Sequence, residues 1–168
     1  MKTASWYQIA SILEQVIQSF EANHSHSSCY SFPPTHFDSM QVPGISVKDY
    51  LERINNYSEC SDSCFVLAFI YIDRILQANP GFVVTKRNIH RLILSAVTLA
   101  IKYSDDLYAS NATYAKIGGI SLEELNLLEA YTLMLLCYNL YVDAELYFQY
   151  AQELELRLLN KKEKMLID

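Results

Sequence analysis

The residues that could do chemistry in this chain are mostly charges standing where a helical register asks for apolar side chains. Asp73 shares a helical face with Phe69, Ile70 and Leu76. A carboxylate on such a face must be paired or must reach the surface, because burying it alone is costly. Arg53, on the preceding helical stretch beside Tyr50 and Tyr57, offers a bidentate guanidinium that would fix two helices in register. The other reading makes Arg74 the mark of a solvent-facing edge on which Asp73 is exposed; a buried Arg53–Asp73 ion pair is the favoured expectation. Glu129 interrupts a face made by Leu122, Leu125, Leu133 and Leu136. Lys102 falls near the C-terminal end of another helical stretch, where the helix dipole favours a cation. It ends a thin polar seam of Arg91, Ser95, Thr98 and Lys102 along an otherwise apolar helix. Lys102 is either a plain helix cap or, with Glu129, a charged pair flanking an apolar docking groove, and the displaced Glu129 favours the second.

Catalytic and metal chemistry find less support. Asp105 and Asp106 resemble the first two positions of an aspartate-rich metal motif, but position 109, where a third acid is needed, is Ala109. Adjacent acids just after a helix are expected to be solvated or to shape a loop. His24, His26 and Cys29 lie in a serine-rich stretch without a further clustered ligand, a poor zinc site. Cys60 and Cys64, one helical turn apart, are expected to be a buried thiol pair rather than metal ligands. No glycine-rich phosphate loop and no Ser-His-Asp arrangement is present. The reading is of a non-enzyme with no cofactor and no metal.

Composition narrows the partners. The 168 residues suffice for one domain and a short appendage. The chain is 51% hydrophobic and 12% aromatic, which argues against general disorder. The formal charge of −6 disfavours electrostatic binding to nucleic acid or an anionic membrane. The longest largely apolar runs, Cys64 to Ile72 and Leu92 to Ile101, are about half of the ~20 residues a membrane-spanning helix needs. No signal peptide is expected, since Glu14 interrupts the first apolar stretch. Four cysteines do not make a disulfide framework, so an intracellular protein of cytoplasm or nucleus is expected.

The elements that must carry these residues are helices almost throughout, and only four glycines and four prolines are available for the turns an all-β fold would need. Trp6, Ile9, Ala10, Leu13, Val16, Ile17 and Phe20 lie on one helical face. Asn23 to Gly44 holds three prolines and no periodicity, and is expected to cross the surface or stay mobile. Ser46 with Asp49 opens a helix, a second runs from about Ser61 to Ala78, and Thr85 is expected to start a third reaching about Ser104. A short helix covers Asn111 to Ile117. Ser121 and Glu124 form a full capping box for the next, which reaches about Leu136, and Asp143 caps the last, which turns polar beyond Arg157. Phe65 to Ile72 is apolar on every side, and two apolar stripes run along 89–103. These two helices should be central, with Phe65, Phe69, Leu92, Ala96 and Leu99 nearly inaccessible.

At this level of detail the residues resemble a family. The run from Ser58 to Arg74, Ser-Glu-Cys-Ser-Asp-Ser-Cys-Phe-Val-Leu-Ala-Phe-Ile-Tyr-Ile-Asp-Arg, is similar to the start of a cyclin box. Asn88-Ile89-His90-Arg91-Leu92 and the run from Leu99 to Asp106 resemble the third helix of the U/P-type, phosphate-pathway-like cyclins of fungi, plants and protists. Asn111 to Ser121, with Glu124, Leu125, Asn126 and Glu129, resemble its fourth and fifth helices. The resemblance runs from Val42 to about Tyr150, in order. Mitotic cyclins carry a leucine where Arg91 stands, which bears on subtype.

The resemblance implies an all-α fold, a five-helix cyclin-box bundle with an added N-terminal and C-terminal helix. Its expected organisation is an N-terminal amphipathic helix at 1–22, a Pro/Ser-rich loop at 23–44, the cyclin-box domain at 45–158 and a polar tail at 159–168. It also implies a regulatory subunit that binds and activates a cyclin-dependent protein kinase. Lys102 and Glu129 fall on the family's kinase-contacting positions, and Arg53 and Asp73 on its internal ion pair. No second box and no control through a destruction box are expected. The alternative is a cyclin-fold scaffold or transcription-associated binding module acting without a kinase.

Overall fold

The computed structural model describes residues 5–24 and 35–167, with side-chain surroundings described for 6–22 and 35–157. The described residues form seven helices and no strand: α1 (Ser5–His24), α2 (Val47–Tyr57), α3 (Asp62–Ala78), α4 (Ile89–Ser104), α5 (Asn111–Gly118), α6 (Leu122–Leu135) and α7 (Ala144–Ile167).

The apolar pattern of α4 dictates its place. From Ile89 to Ile101 only Arg91 escapes full burial. A helix apolar on all sides is stable only when other helices surround it, and α4 packs against α2, α3, α5 and α6. The second expected central helix, α3, buries Cys64, Phe65, Val66, Ala68, Ile70, Tyr71, Ile72 and Ile75 against α1, α4 and α7. Leu92, Ala96, Phe65 and Leu99 are at most 4% exposed, as their stripes require. Phe69 is not. It is only partly buried, at the edge of α3, where its ring meets that of Tyr150 at 6.0 Å.

The helix ends follow local chemistry. The Ser46 hydroxyl accepts from the Asp49 backbone N–H at 3.0 Å, and the Ser121 hydroxyl from that of Glu124 at 3.0 Å. The reciprocal half of the Ser121 capping box is missing because the Glu124 carboxylate is taken by Arg91. The helix expected from Thr85 begins at Ile89 instead. Asn88 knots the turn before it, donating from Nδ2 to the Val83 carbonyl at 2.8 Å and accepting the Thr85 N–H at 2.8 Å. Gly119, at φ +72, ends α5 in the left-handed region that glycine tolerates best. The backbone of α7 stays helical through the expected polar tail to Ile167.

The stretch expected to cross the surface does more than that. Residues 25–34 lie outside the described residues, as do the side chains of His24, His26 and Cys29, but Phe37 is fully buried, with its ring 5.7 Å from Phe82 and 5.3 Å from Tyr131. Arg87 anchors the following turn by donating from Nε and Nη2 to the Ser39 carbonyl at 3.0 and 2.8 Å. No helix among the described residues is long and apolar enough to cross a membrane.

Candidate functional site

The polar seam of α4 meets α6. At its first end Arg91 pairs with Glu124. In the buried middle, Thr132 donates to the Ser95 hydroxyl at 2.9 Å, and Ser95 in turn donates to the Leu92 carbonyl at 3.1 Å. At the last turn, Lys102 Nζ lies 2.6 Å from Glu129 Oε1. Arg91, Ser95 and Lys102 are thus each answered by an α6 partner across one helix–helix contact, which satisfies polar groups that would otherwise be buried unpaired.

Lys102 and Glu129 are also held from a third side. Asn111, the first residue of α5, donates from Nδ2 to Glu129 Oε2 at 2.8 Å and to Asn126 Oδ1 at 2.8 Å, while its own Oδ1 accepts from Lys102 at 3.3 Å. The ammonium therefore sits at the C-terminal end of α4, where unsatisfied carbonyls favour a positive charge, and is locked there by a carboxylate and an amide. The glutamate side chain is 13% exposed and the lysine 33%, so the pair stands at the rim of the protein rather than inside it. Sequence reasoning placed the two charges but gave Asn111 and Asn126 no role. The only available signal was an asparagine opening a helix, which more commonly serves the helix itself.

The pair lines a groove of about 370 Å³ whose apolar walls are Leu99, Tyr103, Ala130, Leu133 and Leu140. The α6 surface carries exposed Leu127 and Met134 one helical face along, 66% and 53% accessible, and Tyr103 stands out at the end of α4. Large apolar side chains gathered in the open are characteristic of surfaces that meet another protein.

Arg53 and Asp73 do not meet. Arg53 is exposed on α2 and donates to the Lys116 carbonyl at 3.3 Å, at the C-terminal end of α5. Asp73 faces α7, where its carboxylate accepts the Tyr150 hydroxyl, and it also accepts, at 2.7 Å, the amide of Gln77 one turn along α3. The reason is topological: α2 packs on α1, α4 and α5, whereas α3 packs on α1, α4 and α7. The expected ion pair is thus replaced by two separate links. Tyr150 is a neutral donor, its pKa pushed up to about 12 by burial and then by its bond to Asp73.

Asp105, the residue after α4, is partly exposed and shapes the turn before α3, in line with the expectation of a solvated or loop-shaping acid, and it belongs to no acidic cluster among the described residues. Its carboxylate accepts from the Ser61 N–H at 3.0 Å and the Ser61 hydroxyl at 2.6 Å, placing a negative charge at the N-terminus of α3. Burial tends to raise its pKa, but the two bonds from Ser61 outweigh burial and lower it. Among the described residues, no three His, Cys, Asp or Glu side chains gather as a metal site would require.

A family model for cyclins matches residues 6–140, and the chain belongs to the cyclin family. Within that family its likeness is to the U and P types. It is 40% identical over 155 residues to Cyclin-U4-1 of Arabidopsis thaliana, covering 90% of this chain and 76% of the relative. It is 42% identical over 125 residues to Cyclin-U4-2 of the same plant, covering 74% and 58%. Cyclin-P3-1 of Oryza sativa subsp. japonica is 46% identical over 121 residues, covering 72% and 51%. The chain therefore spans between about half and three quarters of the length of these relatives.

Proposed function

We propose that this chain is a regulatory subunit that binds and activates a cyclin-dependent protein kinase, and that Lys102 and Glu129 stand at the centre of the kinase-binding surface. The observation that supports the reading most is the fixed Lys102–Glu129–Asn111 cluster at the rim of an apolar groove, beside exposed Leu127 and Met134. A partner helix with apolar residues on one face would cover that groove, and its polar ends would meet a cation and an anion already in position. Preorganised side chains lose little entropy on binding, which raises affinity.

The activating step needs no chemistry from this chain. An active protein kinase requires the glutamate of its αC helix to reach the lysine that holds ATP phosphates. A rigid helical surface that binds the inward position of αC better than the outward one shifts the kinase to the active state by that difference in affinity. The buried α4, held on four sides, supplies the rigidity.

The test is affinity capture with the tagged chain in cells that express it, with kinases identified by mass spectrometry, beside Leu127→Asp and Met134→Glu. Both substitutions fall on exposed positions and should leave folding within about 0.5 kcal/mol. The reading expects a cyclin-dependent kinase in the wild-type eluate and its loss with both variants. Capture of other proteins and no kinase would favour a scaffold. Full kinase capture by both variants would move the surface elsewhere.

A further inference from the structure

Cys60 and Cys64 occupy a structural position that the kinase-binding surface does not use. Cys60 directly precedes Ser61, the N-cap of α3, and Cys64 sits in that helix's first turn. Glu59, in the left-handed region at φ 53, bends the chain just before Cys60. The two thiols lie side by side, with Cys64 in reach to donate to the Cys60 sulfur. Cys60 also accepts from the Ser58 hydroxyl at 3.1 Å. The hydroxyls of Ser61 and Ser104 lie 3.3 and 3.4 Å from Cys64 Sγ.

The surroundings make the two sulfurs unequal. Cys64 is fully buried, and Cys60 is partly exposed. Donation from Cys64 is the main influence lowering the Cys60 pKa; burial and the Asp105 charge oppose it, and the Ser58 hydroxyl assists. The same bond, together with burial, raises that of Cys64. A thiol with lowered pKa, reachable from solvent and next to a second thiol, has the arrangement of a reactive cysteine with its resolving partner.

We propose that Cys60 and Cys64 are a redox modification site, closing into a reversible intrachain disulfide when the protein meets a hydroperoxide. The Cys60 thiolate attacks the distal oxygen of the hydroperoxide, the O–O bond breaks, and the alkoxide or hydroxide leaves with a proton from solvent. Cys60 is then a sulfenic acid. The Cys64 sulfur displaces its hydroxyl, which departs as water with the Cys64 proton. In sum, two thiols are oxidised and one hydroperoxide is reduced to an alcohol, or to water, plus one water. Cys60 lies outside the helix, before its N-cap, where its backbone can move to bring the two sulfurs into the geometry a disulfide requires. Closure removes the thiol that links the start of α3 to Ser104 at the end of α4.

The experiment treats the full-length chain with hydrogen peroxide, alkylates free thiols in denaturant and maps a tryptic digest. The peptide from Ile54 to Arg74 carries both cysteines. It should appear unalkylated and two hydrogens lighter than the reduced form, and dithiothreitol should restore both alkylation sites. In Cys64→Ser, Cys60 should instead stop at a sulfenic acid that dimedone traps. The wild-type mapping needs no variant to fold. The proposal is overturned if both thiols remain alkylatable at a peroxide dose that oxidises free glutathione. It is equally overturned if Cys60 links to a second chain or becomes a sulfinic acid with Cys64 untouched.

Discussion

Lys102 Nζ and Glu129 Oε1 stand 2.6 Å apart, and Asn111 holds the other glutamate oxygen at 2.8 Å. This network makes the two residues part of the fold as well as of the surface. Lys102→Ala should leave a carboxylate that is 13% exposed with an amide as its remaining partner, and should lower stability by about 1–3 kcal/mol. Urea titration of Lys102→Ala, Glu129→Ala and the double variant checks this. A coupling near zero would mean that the pair is ornamental. Reading kinase binding from these variants alone would confuse the two roles, so the exposed positions Leu127 and Met134 serve that purpose better.

Phe37 should be among the most costly residues to truncate outside the helices. It is fully buried between Phe82 and Tyr131 although it stands in the stretch connecting α1 to α2. Phe37→Ala should lose about 3–5 kcal/mol through lost contacts and the cavity left behind. Denaturant unfolding measures it, and a loss below about 1 kcal/mol would show that this stretch is only loosely docked.

Much of the architecture was legible because periodicity reports burial directly. A run such as 92–101 can be stable only inside a bundle, and it is inside one. The charged groups on α4 and α6 were legible as misplaced residues, and their pairing follows from the two helices touching. What periodicity does not carry is which helices touch. Arg53 and Asp73 have the right chemistry for each other, but α2 and α3 lie on different flanks of the bundle. Phe37 was missed for a related reason: an aromatic in a proline-containing stretch without periodicity has no repeat to reveal its burial. The Glu124 side chain could satisfy a capping box or Arg91, and sequence spacing shows only the first.

The correction at Asp73 has its own test. Asp73 and Tyr150 should couple in a double-mutant cycle by about 0.5–3 kcal/mol, using Asp73→Ala and Tyr150→Phe. Arg53→Ala and Asp73→Ala should be additive within about 0.5 kcal/mol, as expected of residues without shared partners. Strong Arg53–Asp73 coupling would restore the ion pair that the resemblance implies.

Gly118 has no room for a side chain. A Cβ there would lie 2.1 Å from Leu94 Cδ2 and 2.9 Å from Cδ1, and Leu94 is itself 2% exposed. Gly118→Ala should overpack the α4–α5 contact and cost about 1–3 kcal/mol. Shortening the obstacle should relieve this strain, so the alanine should cost less in a Leu94→Val background than in the wild type. An alanine that is equally harmful in both backgrounds would place its cost elsewhere than in that contact.

His90 should make stability depend on pH near neutrality. Its Nε2 lies 2.8 Å from the Ile45 carbonyl, which can only accept, so Nε2 carries the proton of the neutral ring. The other nitrogen, Nδ1, is buried without a partner among the described residues, and the ring packs edge-on against Tyr50 at 5.0 Å. Burial lowers the His90 pKa; the carbonyls of Ile45 and Ser46 oppose this and the Arg91 charge adds to it. A histidine whose pKa is lower folded than unfolded binds its proton more readily in the unfolded chain. Its contribution to stability is therefore full above the ordinary value of 6.5 and declines as the pH falls below it toward the depressed folded value. His90→Gln keeps a donor for the Ile45 carbonyl but cannot titrate. Melting temperatures compared at about pH 7.5 and about pH 5.5 should fall further for the wild type than for the variant. Carboxylates that begin to titrate in this interval are common to both proteins and cancel in the comparison. Equal losses would mean that the unfolded chain gains no extra proton at this position, and that the ring is less enclosed than its neighbours indicate.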